Sequence, residues 1–350
     1  MSSFKIGLEE IGDGCPPAVV AEIGINHGGE IDVAIEMADA ALGAGAKLIK
    51  HQTHVIDDEM SAEAKTVIPG NANISIFEIM RDCSLNEKNE LMLMQHIQSR
   101  GGTFISAPFS LLALDRLRRF DVAAIKIGSG ECNNYPFVKR VVELQKPVIL
   151  STGMNSIESI RPSVEIMRQA QVPFCLLHCT NVYPTPPELV RLNCIDILRS
   201  EFPDAVVGLS DHTVDNYACL GAVAFGAALL ERHFTDSKER VGPDIICSMD
   251  PVDLKNLIEG SRTIAKAMGG NKLPVAEEQS TIAFAFASVV ATRNIKVGEE
   301  LSENNIFPQR PSGGDFSSAD YSSLIGRTAK TDIKKGFQIQ KADIDISFKE

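Results

Sequence analysis

The sequence has no tryptophan, and aromatic residues make up only 6% of its 350 positions. No apolar run reaches the roughly 18–20 residues that a bilayer span requires. The opening stretch MSSFKIGLEEIGDG lacks the apolar core and small-residue cleavage site of a signal peptide, so a cytoplasmic location is expected. An excess of positive charge is also missing. The formal net charge is −12, so no nucleic-acid partner is expected, and no membrane partner either. The eight cysteines, at 15, 83, 132, 175, 179, 194, 219 and 247, form no CxxC pair. They read as reduced, buried small hydrophobes rather than as a zinc site or a catalytic thiol. No GxGxxG or Walker motif opens a helix, which weakens the case for an open doubly wound sheet.

What is present is a rhythm. The length and the 44% hydrophobic content suit one large domain of about 250 residues plus a small one. Short apolar runs recur at 17–24, 46–52, 103–106, 123–128, 147–151, 174–179, 205–210 and 228–234. Amphipathic stretches lie between them, at 31–42, 156–170 and 215–227 for example, and a last one covers 252–268. Strands alternating with helices imply a parallel sheet, and eight such units imply a closed (β/α)8 TIM barrel over residues 1–268. Residues 269–286 break the rhythm and read as a linker. Over 287–350 a motif repeats: ATRNIKVGEEL at 291–301 and AKTDIKKGFQI at 329–339. Two copies suit a small pseudo-symmetric β domain whose Lys-x-Gly elements form turns.

Each apolar run ends in polar residues that a core seldom needs: Glu22, Lys50 and Gln52, Ser106, Lys126 with Ser129 and Glu131, Ser151, Asn181 with Tyr183, Ser210 with His212, and Glu231 with His233. In a TIM barrel these ends form one mouth, where active sites are built. His212 and His233 would leave neighbouring strands about 4.8 Å apart. They could share a divalent ion such as Mn2+, with Mg2+ or Co2+ as alternatives, or form a structural pair. Lys50 and Lys126 need anionic partners, either a protein carboxylate or a substrate phosphate. Hydroxyls at Ser129, Ser151 and Ser210 could add donors to phosphate oxygens. Glu22 and Glu131 are candidate acid/base groups.

The stretches AEIGINHGG, KHQTH, KIGSGECNNYP, STGMNS, LHCTNVYPTP, GLSDHT, ERHF and GPDIICSM, with FAFASVVATRNIKVGEELS and QRPSGGDF, resemble the N-acetylneuraminate (sialic acid) synthase family along nearly the whole chain. The resemblance implies a TIM barrel with an antifreeze-like SAF domain, paired as a domain-swapped homodimer. It implies condensation of phosphoenolpyruvate with the open-chain aldehyde of N-acetylmannosamine, with legionaminate or pseudaminate synthesis from a related sugar as the alternative. By motif position His212 and His233 match metal ligands. Lys50, Lys126, Ser129, Ser151, Asn181 and Ser210 match phosphoenolpyruvate contacts. Gln52, Asn71, Tyr183, Asp244 and Arg310 match sugar-binding positions, Arg310 reaching in from a second subunit. Glu131 first and Glu22 second match the acidic pair at the reacting atoms. One departure stands out. The family's STPF is here Ser106-Ala107-Pro108-Phe109, which removes a threonine hydroxyl near the phosphate unless Ser106 or water replaces it.

Overall fold

A computed structural model describes residues 3–68 and 74–345. The chain divides into two compact units at Gly269/Gly270. In the first, a hairpin of β1 (Ser3–Ile6) and β2 (Glu9–Gly12) precedes eight strands. These are β3 (Ala18–Gly24), β4 (Leu48–Thr53), β5 (Thr103–Pro108), β6 (Ile125–Ile127), β7 (Val148–Ser151), β8 (Phe174–Cys179), β9 (Val206–Asp211) and β10 (Leu229–His233). All eight pair in parallel, in sequence order, and β10 returns to β3 to close the barrel. His233 sits in register with Glu22 across that seam.

The strands are buried almost throughout and mostly apolar because a parallel barrel is covered on both sides. Outside lie α1 (Ile31–Gly43), α2 (Ile56–Glu59), α3 (Ile76–Asp82), α4 (Glu87–Ser99), α5 (Leu111–Phe120) and α6 (Tyr135–Val142). They are followed by α7 (Ile157–Gln169), α8 (Pro187–Val190), α9 (Cys194–Glu201), α10 (Tyr217–Ala224) and α11 (Pro251–Ala267). The main core fills the layer between strands and helices, with Ile23, Ile49, Phe104 and Leu176 meeting Met37, Leu93, Leu117 and Val164. A second core lies inside the barrel, where Val20, Leu48, Ile105, Ile149, Leu177 and Leu229 pack with Ile6 and Ile11 of the hairpin. The hairpin thus supplies apolar residues to the barrel interior. No helix among the described residues is long and apolar enough to cross a membrane.

The second unit holds α12 (Gln279–Ala285) and an antiparallel pair, β11 (Ser288–Ala291) with β12 (Ile306–Gln309). Residues 276–285, read from sequence as linker, are therefore helical. The 38-residue repeat is visible as a local two-fold. Ile295 and Ile333, equivalent in the two copies, exchange both backbone hydrogen bonds at 2.8 Å. Gly298 donates to Ala329 O and Gly336 to Ala291 O, again as equivalents. Both glycines have φ above +80°, which side-chain-bearing residues seldom adopt. The equivalent pairs Ile295/Ile333 and Leu301/Ile339 meet in one small core that also holds Val289.

Candidate active site

Side chains alternate along a strand, so residues two apart share a face. Lys50 and Gln52, Ser210 and His212, and Glu231 and His233 are such pairs, and all six line one cavity of about 250 Å3 within the barrel unit. Glu22, Lys126, Ser129, Ser151, Asn181, Tyr183 and Asp244 line it too. Twelve of the fifteen sequence-predicted site residues therefore meet there, with Glu231 added.

The electrostatic centre is a compact set of buried charges. Lys50 Nζ lies 2.5 Å from Glu22 Oε1 and 3.6 Å from Glu231 Oε1. Lys126 Nζ lies 3.3 Å from Glu231 Oε1 and donates to Ser151 Oγ at 2.7 Å. Ser210 Oγ donates to Glu231 Oε1 at 3.0 Å, and Gln52 Nε2 to Glu22 Oε1 at 2.6 Å. The lysines thus find protein carboxylates as their partners within the chain. Burial by itself would raise the Glu22 carboxyl, but Lys50, helped by His233 and Lys126, holds it well below the ordinary carboxylate range. Burial would likewise lower Lys50, and Glu22 and Glu231 raise it instead. Both stay charged. Glu231 Oε2 is a buried oxygen with no hydrogen-bond partner among the described residues.

His212 and His233 face each other with ring centroids 5.4 Å apart. His212 Nδ1 donates to Thr180 O at 2.9 Å, which fixes the tautomer and leaves Nε2 with a free lone pair. Burial, and then the neighbouring His233, push His212 down to about 3, so the ring is neutral. His233 Nδ1 is buried without a hydrogen-bond partner among the described residues, 3.6 Å from Asp244 Oδ2. Two adjacent imidazoles, one of them with an unpartnered nitrogen, fit a divalent cation. No group of three or more His, Cys, Asp or Glu among the described residues could encage one, so water or substrate oxygen would complete the coordination.

Tyr183 lies against His212, with centroids 4.1 Å apart. Burial raises its phenol above the ordinary value, which keeps it a donor. Cys179 also lines the cavity, but burial pushes its thiol up to about 11, so it is no nucleophile.

Two predicted residues do not line that cavity, and a third cannot be placed. Glu131 sits at the end of the single turn Ser129–Glu131. Ser129 and Gly130 of that turn line the cavity, but Glu131 does not, and its carboxylate accepts from Asn134 Nδ2 at 2.5 Å. Arg310 belongs to the second unit, where it lines a groove with Pro311, Phe337 and Gln338. Asn71 lies outside the described residues. The suggestion that Ser106 replaces the missing threonine is overturned. Ser106 points outward and bonds Thr53 Oγ1 at 2.7 Å, while Ala107 faces the cavity.

Sequence reasoning gave no role to Glu231, although it stands two residues before His233 and must share its face. It also passed over Ile25, Met80 and Phe109, which give the cavity an apolar side. Nothing in their residue types distinguishes them from core positions.

A family model described as the NeuB family matches residues 37–273, and one described as an SAF domain matches 286–345. The N,N'-diacetyllegionaminic acid synthase of Campylobacter jejuni is 34% identical over 91% of this chain and 97% of its own. A pseudaminic acid synthase from the same species is 32% identical over 93% of this chain and 96% of its own. The crystal structure of an N-acetylneuraminic acid (sialic acid) synthetase from Leptospira borgpetersenii, in complex with citrate, superposes with a TM-score of 0.74. It is 29% identical, covering 80% of this chain and 95% of that one. On the span of that family model and the identity to these synthases along nine tenths of its length, the chain belongs to the NeuB family and carries an SAF domain.

Proposed function

We propose that the protein is an N-acetylneuraminate synthase. It would join phosphoenolpyruvate to open-chain N-acetylmannosamine and release inorganic phosphate by C–O cleavage. The observation that carries this reading is the meeting of Lys50, Lys126, Glu22, His212 and His233 in one cavity.

Lys50 and Lys126 bind the phosphate, with Ser129, Ser151, Ser210 and Asn181 donating further hydrogen bonds. As the phosphate takes over the ammonium groups, Glu22 loses its main partner and is freed to act on a proton. C3 of phosphoenolpyruvate attacks the sugar's aldehyde carbon, and positive charge develops at C2. Water adds at C2 and passes its proton to a carboxylate. Glu22 is assigned this role ahead of Glu131, because Glu22 lines the cavity and Glu131 does not. The resulting tetrahedral centre expels phosphate, whose charge the two lysines neutralise. His212 and His233 would hold a divalent cation, Mn2+ in this proposal, and bound there it supplies Lewis-acid polarisation of the aldehyde oxygen. Gln52, Tyr183 and Asp244 would contact the sugar hydroxyls. Asn71 belongs to the same proposed set, and Arg310 from a second copy of the chain would contact the N-acyl group.

The second reading is synthesis of legionaminate or pseudaminate, favoured by the names of relatives at 34% and 32% identity. A product assay separates the two. Phosphoenolpyruvate is supplied with N-acetylmannosamine or with each 2,4-diacetamido hexose, and the acid is identified by mass spectrometry. Turnover with N-acetylmannosamine supports the first reading. Turnover only with a diacetamido sugar replaces it with the second.

A further inference from the structure

The motif KHQTH contributes Lys50 and Gln52 to the cavity but leaves its last residue, His54, without a role. His54 is buried, only 4% exposed, and does not itself line the cavity. It touches two residues that do. Its Nε2 lies 3.2 Å from Gln52 Oε1, and its ring stacks on Phe109 at 4.5 Å with planes 9° apart. Its other nitrogen, Nδ1, lies 2.8 Å from Glu59 Oε2 on α2.

These contacts decide which way the Gln52 amide faces. Glu22 Oε1 can only accept, so the Gln52 amino group faces it and donates at 2.6 Å. Gln52 Oε1 then faces His54 Nε2, which donates to it when the ring carries both N–H groups and pairs with the Glu59 carboxylate. A flipped amide would set two acceptors against each other at Glu22 and, with both ring nitrogens of His54 carrying hydrogens, two donors against each other at His54. Glu59 holds the far side of the imidazole, and Phe109 prevents the ring from tilting.

We infer that His54 is a positioning residue: it fixes the Gln52 amide and the Phe109 ring at the sugar side of the cavity. The same contact ties α2, through Glu59, to that wall. The inference rests on the proposed assignment of Gln52 to sugar binding, and it makes no claim about the phosphate side.

The test uses the full-length protein. Crystal structures of the wild type and of His54→Phe show whether Gln52 keeps its contact with Glu22. The phenylalanine preserves the stack and removes both ring nitrogens. The expected result is that Gln52 turns away from Glu22 in the variant. Loss of one ordered hydrogen-bonding group should raise the sugar KM about tenfold. The phosphoenolpyruvate KM should stay within about twofold. His54→Gln, which can restore a donor towards Gln52, should recover most of the sugar affinity. If His54→Phe does not fold, Glu59→Ala removes the outer anchor and should shift the sugar KM in the same direction by less. The inference is overturned if Gln52 stays on Glu22 in the variant, if both KM values rise together, or if His54→Gln behaves like His54→Phe. Should the wild type turn over none of the candidate sugars, the functional proposal falls, while the position of Gln52 in the two crystals still decides the role of His54.

Discussion

Gly153 offers a steric probe of the phosphate side of the cavity. It follows β7, and its N–H donates to Ser129 Oγ at 3.1 Å. Its φ lies outside the left-handed region, so its backbone would accept alanine without strain. A Cβ built there would lie 1.9 Å from Asn181 Oδ1 and 2.9 Å from Ser129 Oγ. Ordinary contact begins near 3.4 Å, so Asn181 must retreat by about 1.5 Å and Ser129 by about 0.5 Å. Both are assigned to the substrate phosphate. A hydrogen bond to a charged group contributes about 1.5–3 kcal/mol, so losing one raises the phosphoenolpyruvate KM roughly 10- to 100-fold. Initial rates of Gly153→Ala, with each substrate varied at saturating levels of the other, read this directly. A melting curve checks that the fold is intact. A folded variant whose phosphoenolpyruvate KM matches the wild type would refute the assignment of Asn181 and Ser129.

Glu22→Gln should lower kcat by about 10²–10⁴-fold, and Glu131→Gln by much less. Equal losses would return Glu131 to the chemistry. Arg310→Ala should raise the sugar KM and leave that of phosphoenolpyruvate alone, and an unchanged sugar KM would remove the arginine from the account. Glu90 is fully buried and accepts from His51 Nδ1 at 3.1 Å, from Arg116 Nη1 at 2.7 Å and from Thr53. Glu90→Ala strands the Arg116 charge and should destabilise the protein by about 3–5 kcal/mol in urea unfolding. Burial alone would raise the Glu90 carboxyl, but bonds from His51, Thr53 and Arg116 hold it below its ordinary value. Its contribution is therefore full above the unfolded value of about 4.3 and is lost as pH falls through the lower folded value. Wild-type stability should fall more steeply on acidification than that of Glu90→Gln, and parallel curves would contradict the assignment.

The barrel was legible because its strands are buried on both faces and so appear as eight short, mostly apolar runs. The polar ends of those runs identified the mouth. Period-two alternation carried more information than was drawn from it. It places Glu231 beside His233, and it turns Ser106 away from the cavity while Ala107 faces it. The hairpin at Ser3–Gly12 was missed because only Ile6 and Ile11 of its residues are fully buried apolar side chains, too few for a periodic signal. The repeat at 291–301 and 329–339 was readable because symmetry preserves residue types at equivalent turns. Glu131 could not be separated from Glu22 by sequence, since both stand near the ends of apolar runs. Only the single turn Ser129–Glu131 directs one of them towards Asn134 instead. His54 had no signal of its own, because its role is expressed through the neighbours it holds.

The most direct measurement is a crystal structure of the protein soaked with Mn2+ and phosphoenolpyruvate, using anomalous scattering to locate the metal. The account predicts a manganese peak shared by His212 and His233, and the phosphate on Lys50 and Lys126 in the same cavity. Manganese away from both imidazoles, or a phosphate bound without either lysine, would contradict it.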